Sequence, residues 1–251
     1  GAVQLTRMTV AFGAVSDIWY VVLVSQSSAE DGMLPVHRLP LAAALAAGTV
    51  LALSIYAYGA ALNDVLDARH DGAFRPDRPI PSGRIRTGQA IVVTVGALML
   101  GVLAAAAFGV WGVCMAIVVS AMILFFDAAG KYIPAVGLVT IGTIHAAHMF
   151  IPNPQLSFTL PIALVVTHGM VIAAIVHELE EKRPALSRRA VVFAAIGWVS
   201  ISALLLSAGT LNGGGFWPEG ASWWRAAYPL GAVLGFVVVC RWKTGLSRGG
   251  A

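Results

Sequence analysis

The chain is built around long apolar runs that carry no charged side chain. One run extends from Thr87 to Phe126 and a second from Ile133 to Val176, and neither contains Asp, Glu, Lys or Arg. A helix of about 20 apolar residues crosses the hydrocarbon core of a bilayer, so each run is long enough for two spans. Only 11% of the residues are charged, whereas soluble domains average about 25%. We therefore predict an all-α protein, a polytopic bundle of membrane helices.

Eight segments are candidates for membrane spans, of which the last is short and contains Pro229. Glycines at Gly109–Gly112 favour a turn between the third and fourth spans, and Pro152–Pro154 separates the fifth from the sixth because proline ends helices. We expect the whole chain, residues 1–251, to form a single integral membrane domain. The candidate spans are residues 8–25, 39–62, 88–108, 110–127, 133–151, 157–177, 190–208 and 226–241.

The basic residues are distributed unevenly between the two ends of these spans. With eight crossings and a cytoplasmic N-terminus, only Arg38 and Arg225 of the 16 lysines and arginines lie on the outer side. Cytoplasmic loops of membrane proteins carry such an excess, so we predict a multi-pass protein of the cell (inner) membrane. Because topology accounts for the net charge of +4, nucleic acid is not an expected partner. The loops at 63–87, 127–132 and 177–189 then share the cytoplasmic face, where they can form one site.

The most distinctive polar segment follows the second span and reads NDVLDARHDGAFRPDRPIPSGRI, beginning at Asn63. On a helix, Asn63, Asp67 and Asp71 share one face at i, i+4 and i+8, and Asp64 lies beside them. Carboxylates this close repel one another unless a cation lies among them. Hard cations such as Mg²⁺ bind carboxylate oxygens and often share them with substrate phosphates. The spacing therefore indicates a magnesium site made of these four residues, which we call the first acidic cluster.

Two arginines follow the first acidic cluster within two helical turns. Arg75 and Arg78 carry guanidinium groups suited to bidentate contact with phosphate oxygens, so the whole segment is typical of a metal–diphosphate site. The sequence RPIPSG then predicts a stiff turn that leads into the third span. An alternative is an ordinary cytoplasmic loop, in which the arginines set the topology and the aspartates are only their salt-bridge partners.

The pattern NDxxDxxxD followed by RxxRPIPSG, which residues 63–83 match, resembles the first aspartate-rich motif of the UbiA superfamily of intramembrane prenyltransferases. The segment LTRMTVAFGAVSD, residues 5–17, is similar to the first helix of that family, although an asparagine often found there is absent. FFDAAGKYIPAVG, residues 125–137, is similar to the segment after the fourth helix, where the family has a lysine near the diphosphate. The resemblance extends over roughly residues 5–190, and the family usually has nine spans.

The resemblance implies Mg²⁺-dependent transfer of an isoprenoid group from a prenyl diphosphate to a hydrophobic, expected aromatic, acceptor inside the membrane. It assigns metal binding to the first acidic cluster and gives catalytic roles to Asp67, Asp71 and Lys131. Arg75, Arg78 and Lys131 are expected to bind the diphosphate. No residue of the sequence selects a particular acceptor.

The second aspartate-rich motif of the family, DxxD or DxxxD after the sixth span, is altered in this chain. VHELEEKRP, residues 176–184, occupies that place with glutamates. Glu178 and Glu181 stand at i and i+3 and are the candidate ligands of a second metal ion. Glutamate is one methylene longer than aspartate, and Mg²⁺ is strict about octahedral geometry. An equal alternative is a solvated loop in which Glu180 and Glu181 pair with the adjacent basic residues.

A carboxylate inside the first span is unusual, because burying one in a membrane is costly. Asp17 is therefore a possible contact for the acceptor, or an ion-pair partner of an arginine. His145 and His148 lie at i and i+3 in the fifth span, where a metal pair, a quinone contact and a helix-packing role are all open. A non-catalytic alternative also stays open, a UbiA-like structural subunit of a larger membrane complex with partner chains, which the altered second motif favours.

Overall fold

The computed structural model of the protein describes residues 2–27, 34–180, 182–215 and Gly231. These residues form nine α-helices, two short 3₁₀ turns at 106–108 and 130–132, and no β-strand. The all-α prediction is thus confirmed. The helices are α1 (Ala2–Ser27), α2 (Pro35–Arg38), α3 (Leu41–Leu66), α4 (Ala68–Phe74), α5 (Thr87–Ala105), α6 (Gly109–Ala128), α7 (Pro134–Met149), α8 (Leu160–Leu179) and α9 (Arg188–Leu211).

Seven of the eight predicted spans coincide with a long helix, and the eighth, 226–241, lies outside the described residues except for Gly231. Four described stretches are long and apolar enough to cross a membrane, and the second of them contains both α5 and α6. The predicted polytopic membrane bundle is therefore confirmed. These stretches are residues 41–66, 87–128, 160–179 and 188–211.

The chain reverses direction between α5 and α6 at two glycines. Gly109 has a φ of +78°, a conformation that side chains other than glycine rarely adopt. A Cβ atom on Gly112 would lie 2.5 Å from the carbonyl oxygen of Ala105, so only glycine lets the start of α6 approach the end of α5 this closely. The reversal brings the end of α6 back to the side of the bundle from which α5 starts.

Two apolar clusters hold the bundle together. One, which includes Ile18, Leu51 and Phe108, joins α1 and α3 to the turn between α5 and α6. The other, which includes Ile162 and Val166, joins α7, α8 and α9. The helix α7 connects the two clusters, because it contacts α1 and α6 as well as α8 and α9.

Large apolar side chains also cover the outside of the bundle. Val92, Leu103 and Leu204 are each 71% exposed on their helices. Soluble monomers rarely expose apolar patches of this extent, whereas lipid hydrocarbon covers them in a membrane. The outward faces therefore fit a bilayer environment and leave the polar groups to the helix ends and the bundle interior.

The path of the chain places three polar segments on one side of the bundle. The end of α3 meets the end of α6 there, where Asn63 and Asp127 are hydrogen-bonded. The helix α7 leads away to the opposite side, where Asn153 bonds to Ser25 near the end of α1, and α8 leads back. The ends of α3, α6 and α8 therefore share one side, which we call the site side.

Candidate active site

The first acidic cluster lies where α3 continues into α4. Asp67 separates the two helices, with φ −85° and ψ −1°. Helical hydrogen bonding nevertheless persists across it, because the Asp67 N–H donates to the Asn63 carbonyl at 2.9 Å and the Asp71 N–H donates to the Asp67 carbonyl at 2.8 Å. The i, i+4, i+8 spacing of the sequence is therefore retained, and the polar side chains stay on one side of the chain.

Asn63 links the cluster to a carboxylate from another helix. Its side-chain amide nitrogen donates to Asp67 Oδ2 at 3.0 Å and to Asp127 Oδ1 at 3.1 Å. Asp127 lies in the last turn of α6 and is buried, with 5% of its surface exposed. The contact joins residues 64 positions apart in the chain, so the site is assembled by tertiary structure and does not belong to one loop.

Lys131 comes from the 3₁₀ turn after α6 and lies directly on the first acidic cluster. Its Nζ is 2.8 Å from both carboxylate oxygens of Asp67 and 3.9 Å from Asp127 Oδ1. The ammonium group also lies 5.6 Å from the centre of the Tyr132 ring. Lys131 therefore neutralises Asp67 and Asp127, and the family resemblance assigns the same lysine to diphosphate binding.

Arg78 neutralises the other two aspartates of the cluster. Its Nη1 is 2.9 Å from Asp64 Oδ1 and 3.2 Å from Asp71 Oδ2. The loop that carries Arg78 is a series of turns, in which Ser82 N–H donates to the Arg78 carbonyl and Ile85 N–H donates to the Pro79 carbonyl. The proline-rich segment thus folds back and holds this guanidinium against Asp64 of α3 and Asp71 of α4.

The donor chemistry of the cluster fits Mg²⁺. Asp71 is 4% exposed, and its Oδ2 accepts no hydrogen bond from the described residues although it lies within ion-pair distance of Arg78. Carboxylate and amide oxygens are the ligands that hard cations take. No three of the described His, Cys, Asp and Glu side chains are arranged to hold a metal ion, and Asp67 and Asp71 contact Lys131 and Arg78 instead. Metal binding therefore requires Asp67 and Asp71 to give up their contacts with Lys131 and Arg78.

Arg75, the remaining predicted diphosphate ligand, behaves differently from Arg78. It caps the end of α4, where its N–H donates to the Asp71 carbonyl. Its side chain is exposed and makes no ion pair within the part of the chain that the structure describes. The guanidinium is therefore next to the first acidic cluster and available to an anion.

The second cluster is only partly visible at the end of α8. Glu178 is exposed, and its side chain makes no hydrogen bond or ion pair with any described residue. Glu181 lies outside the described residues. Glu180 pairs with Lys182 at 3.1 Å, with both side chains 50% exposed, which is the contact expected of a solvated loop. The structure brings Glu178 to the site side of the bundle without a contact to the first acidic cluster.

Asp17 lies apart from the carboxylates of the site side. Its Oδ2 is 3.7 Å from His145 Nδ1. The partner of Asp17 is thus a histidine, whereas one alternative from the sequence was an ion pair with an arginine. His145 is 11 residues beyond the start of α7 at Pro134, which corresponds to about 16 Å along a helix axis. The nearby His148 is buried, and its Nε2 has no hydrogen-bond partner among the described residues. Asp17 and these histidines thus form a separate polar group away from the site side.

Asp127 is the site residue that sequence reasoning missed. Its only signal was a single carboxylate at the end of a long uncharged run, four residues before Lys131. An i, i+4 pair of opposite charges is common on helices, so this signal alone does not distinguish a site residue from a surface ion pair.

An open apolar groove with a volume of about 410 Å³ lies between α6 and α7. Phe125, the last of its residues on α6, lies two positions before Asp127, so one end of the groove is near the site side. The lining residues are Val118, Ala121, Met122, Phe125, Thr140 and Thr143.

Comparison with known proteins gives consistent matches. A family model described as the UbiA prenyltransferase family matches residues 18–249. Digeranylgeranylglyceryl phosphate synthase of Methanosarcina barkeri is 37% identical over 86 residues, which cover 34% of this chain and 29% of that protein. The enzyme of the same name from Methanopyrus kandleri is 35% identical over 104 residues, covering 41% of this chain and 38% of that protein. The matches thus span roughly a third of these curated relatives.

A solved structure supports the same architecture. It is described as digeranylgeranylglyceryl phosphate synthase in membranes, and it superposes with a TM-score of 0.63 over 97% of this chain and 87% of that one. The sequence identity is 16%, so this likeness establishes the fold alone.

Proposed function

Because this chain belongs to the UbiA prenyltransferase family, we propose that it transfers an isoprenoid group from a prenyl diphosphate to a hydrophobic acceptor within the membrane. The observation that carries the proposal is the convergence of three chain segments on one group of charges. Contacts of 2.8–3.9 Å link the four residues of this group. They are Asn63 in α3, Asp67 at the end of α3, Asp127 in α6 and Lys131 in the following turn.

We assign Mg²⁺ binding to the first acidic cluster, Asn63, Asp64, Asp67 and Asp71. When bound, Mg²⁺ neutralises diphosphate oxygens and stabilises the leaving group. Glu178 and Glu181 are proposed as ligands of a second ion, supported by the exposed position of Glu178 at the end of α8.

The basic residues are then released from the carboxylates for the substrate. Lys131 leaves Asp67 to bind a diphosphate oxygen, and Arg78 leaves Asp64 and Asp71 to do the same. The exposed Arg75 has no such ion pair to break among the described residues. All three cations then balance the negative charge that grows on the departing pyrophosphate. We therefore propose Asp67, Asp71 and Lys131 as the catalytic residues, with the two arginines binding diphosphate.

The bond changes follow from this arrangement. The bond between C1 and the diphosphate oxygen breaks, and its electron pair leaves with pyrophosphate. The allylic cation that remains forms a new bond to the acceptor, which gives up a proton. An apolar surrounding keeps water away from such a cation, and the apolar groove beside Phe125 offers a surface for the isoprenoid tail. An aromatic ring face attracts positive charge.

The acceptor is proposed from chemistry and from the names of the relatives. The family resemblance implied an aromatic acceptor, whereas relatives named digeranylgeranylglyceryl phosphate synthase favour the hydroxyl of a glyceryl phosphate lipid. Asp17, beside His145, is proposed to contact a polar group of the acceptor away from the diphosphate. We propose that the site side faces the cytoplasm of a cell (inner) membrane, on the distribution of lysine and arginine.

The test is binding of radiolabelled geranylgeranyl diphosphate to the purified protein in detergent, with and without Mg²⁺. We expect binding that requires Mg²⁺ and is lost in Asp67→Ala. The control is Asp77→Ala, an exposed aspartate of the same loop, which should bind as the wild type does. If the wild type binds no prenyl diphosphate, the transferase proposal fails, and the non-catalytic subunit of a membrane complex becomes the better description.

A further inference from the structure

The buried carboxylate of Asp127 belongs to neither of the acidic motifs. We infer that Asp127 is a positioning residue, which holds the Asn63 side chain with its amide oxygen toward the metal and thereby sets the affinity of the site. The inference rests on the proposed metal-dependent function and adds to it a residue from another helix.

The hydrogen bonds of Asn63 define the orientation of its amide. The nitrogen Nδ2 is within 3.1 Å of two carboxylate oxygens, one from Asp67 and one from Asp127. An ionised carboxylate only accepts hydrogen bonds, and an amide nitrogen has two hydrogens to donate. Both hydrogens are therefore used, and the amide oxygen must point away from the two aspartates.

The amide oxygen of Asn63 is left available for a ligand. No donor among the described residues bonds to it. Amide oxygens are ligands for hard cations, and the rest of the first acidic cluster follows on the same side of the chain. Reversing the amide would direct its N–H groups toward the metal, where they repel a cation.

Asp127 is well placed to hold this orientation. It is 5% exposed, and a buried carboxylate is costly unless it is paired and hydrogen-bonded. Its partners are the Asn63 amide at 3.1 Å and Lys131 at 3.9 Å, both of which belong to the site. Both oxygens of Asp67 also accept from Lys131, whereas Asp127 Oδ1 lies closer to the Asn63 amide than to Lys131.

Two substitutions separate the charge of Asp127 from its role as an acceptor. Asp127→Asn removes the charge but keeps an amide oxygen that accepts from Asn63, whereas Asp127→Leu removes both. Loss of a residue that orients a metal ligand typically costs about 10–100-fold in affinity. We therefore expect Asp127→Leu to bind the metal at least about ten-fold more weakly than Asp127→Asn.

The experiment measures Mn²⁺ binding to the purified full chain by electron paramagnetic resonance, with the thermal unfolding midpoint Tm as the folding control. The affinity difference between the two Asp127 variants should disappear when Asn63 is replaced by Ala, because the amide is then absent. Ser120→Ala, at another buried polar residue of α6, should bind as the wild type does. If Asp127→Leu does not fold, Asp127→Ala takes its place in the comparison.

Equal affinity in the two Asp127 variants, or a difference that persists in the Asn63→Ala background, would overturn the inference. A wild type that binds no Mn²⁺ rejects the metal-dependent function together with this role of Asp127. A wild type that binds Mn²⁺, with variants that bind equally well, rejects the role of Asp127 alone.

Discussion

Replacing Lys131 by methionine should have opposite effects on stability and on metal binding. Lys131 Nζ lies 2.8 Å from both oxygens of Asp67, and the two side chains are only 17% and 21% exposed. A hydrogen bond between charged groups contributes about 1.5–3 kcal/mol. We therefore expect Lys131→Met to lower the free energy of unfolding by about 2 kcal/mol, because Asp67 loses its counter-charge while methionine keeps most of the packing.

The same pair must break before Asp67 can bind a cation. In Lys131→Met that cost is absent, so metal binding should become more favourable by about 2 kcal/mol. At about 1.4 kcal/mol per ten-fold, this corresponds to a metal affinity that is roughly thirty-fold higher. Prenyl diphosphate should bind more weakly, since one cation of its site is lost. A lysine that only stabilised the fold would produce the loss of stability without the gain in metal affinity.

The assay combines thermal unfolding with Mn²⁺ titration and with binding of radiolabelled geranylgeranyl diphosphate. Lys182→Met is the matched control, because Lys182 pairs with Glu180 at a half-exposed position and exposed pairs contribute at most about 1 kcal/mol. Mn²⁺ affinity that falls or stays unchanged in Lys131→Met would refute the reasoning that Lys131 and the metal compete for Asp67.

The remaining predictions concern the other charged groups. Arg78→Leu should lower the free energy of unfolding by about 3 kcal/mol, measured by chemical denaturation, because it leaves the buried Asp71 without a counter-charge. Arg75→Leu should change stability by less than about 0.5 kcal/mol, since its side chain is exposed, yet raise the KM for prenyl diphosphate; an unchanged KM would remove Arg75 from the site. Glu178→Gln should reduce the transfer rate with no change in Tm, whereas Glu180→Gln should alter neither; equal rates in both variants would mean that the second motif is only a solvated loop. Asp17→Asn should raise the KM for the acceptor and leave that for prenyl diphosphate unchanged, and a shift in both would contradict a separate acceptor contact.

The sequence by itself determined the features that depend on neighbouring residues. Uncharged runs such as Thr87 to Phe126 fixed the all-helical membrane fold, because hydrocarbon admits little else at that length. The glycines at 109–112 gave the turn between α5 and α6, since the close approach at Gly112 leaves no room for a side chain. The i, i+4 spacing of Asn63 and Asp67 gave their contact, because α-helical hydrogen bonding continues through the break at Asp67.

Only the tertiary structure decided which charges meet. Asp127 and Asn63 are hydrogen-bonded over 64 positions, and no local pattern specifies a contact between the ends of two separate helices. The same holds for Lys131, which the sequence assigned to diphosphate and the fold places on Asp67. Spacing reveals which residues share one helix face, whereas the packing of α3 against α6 determines what that face meets. The physical reason is that a half-buried charge pairs with whichever opposite charge the fold brings within about 4 Å. The packing of the whole bundle therefore determines which charges pair.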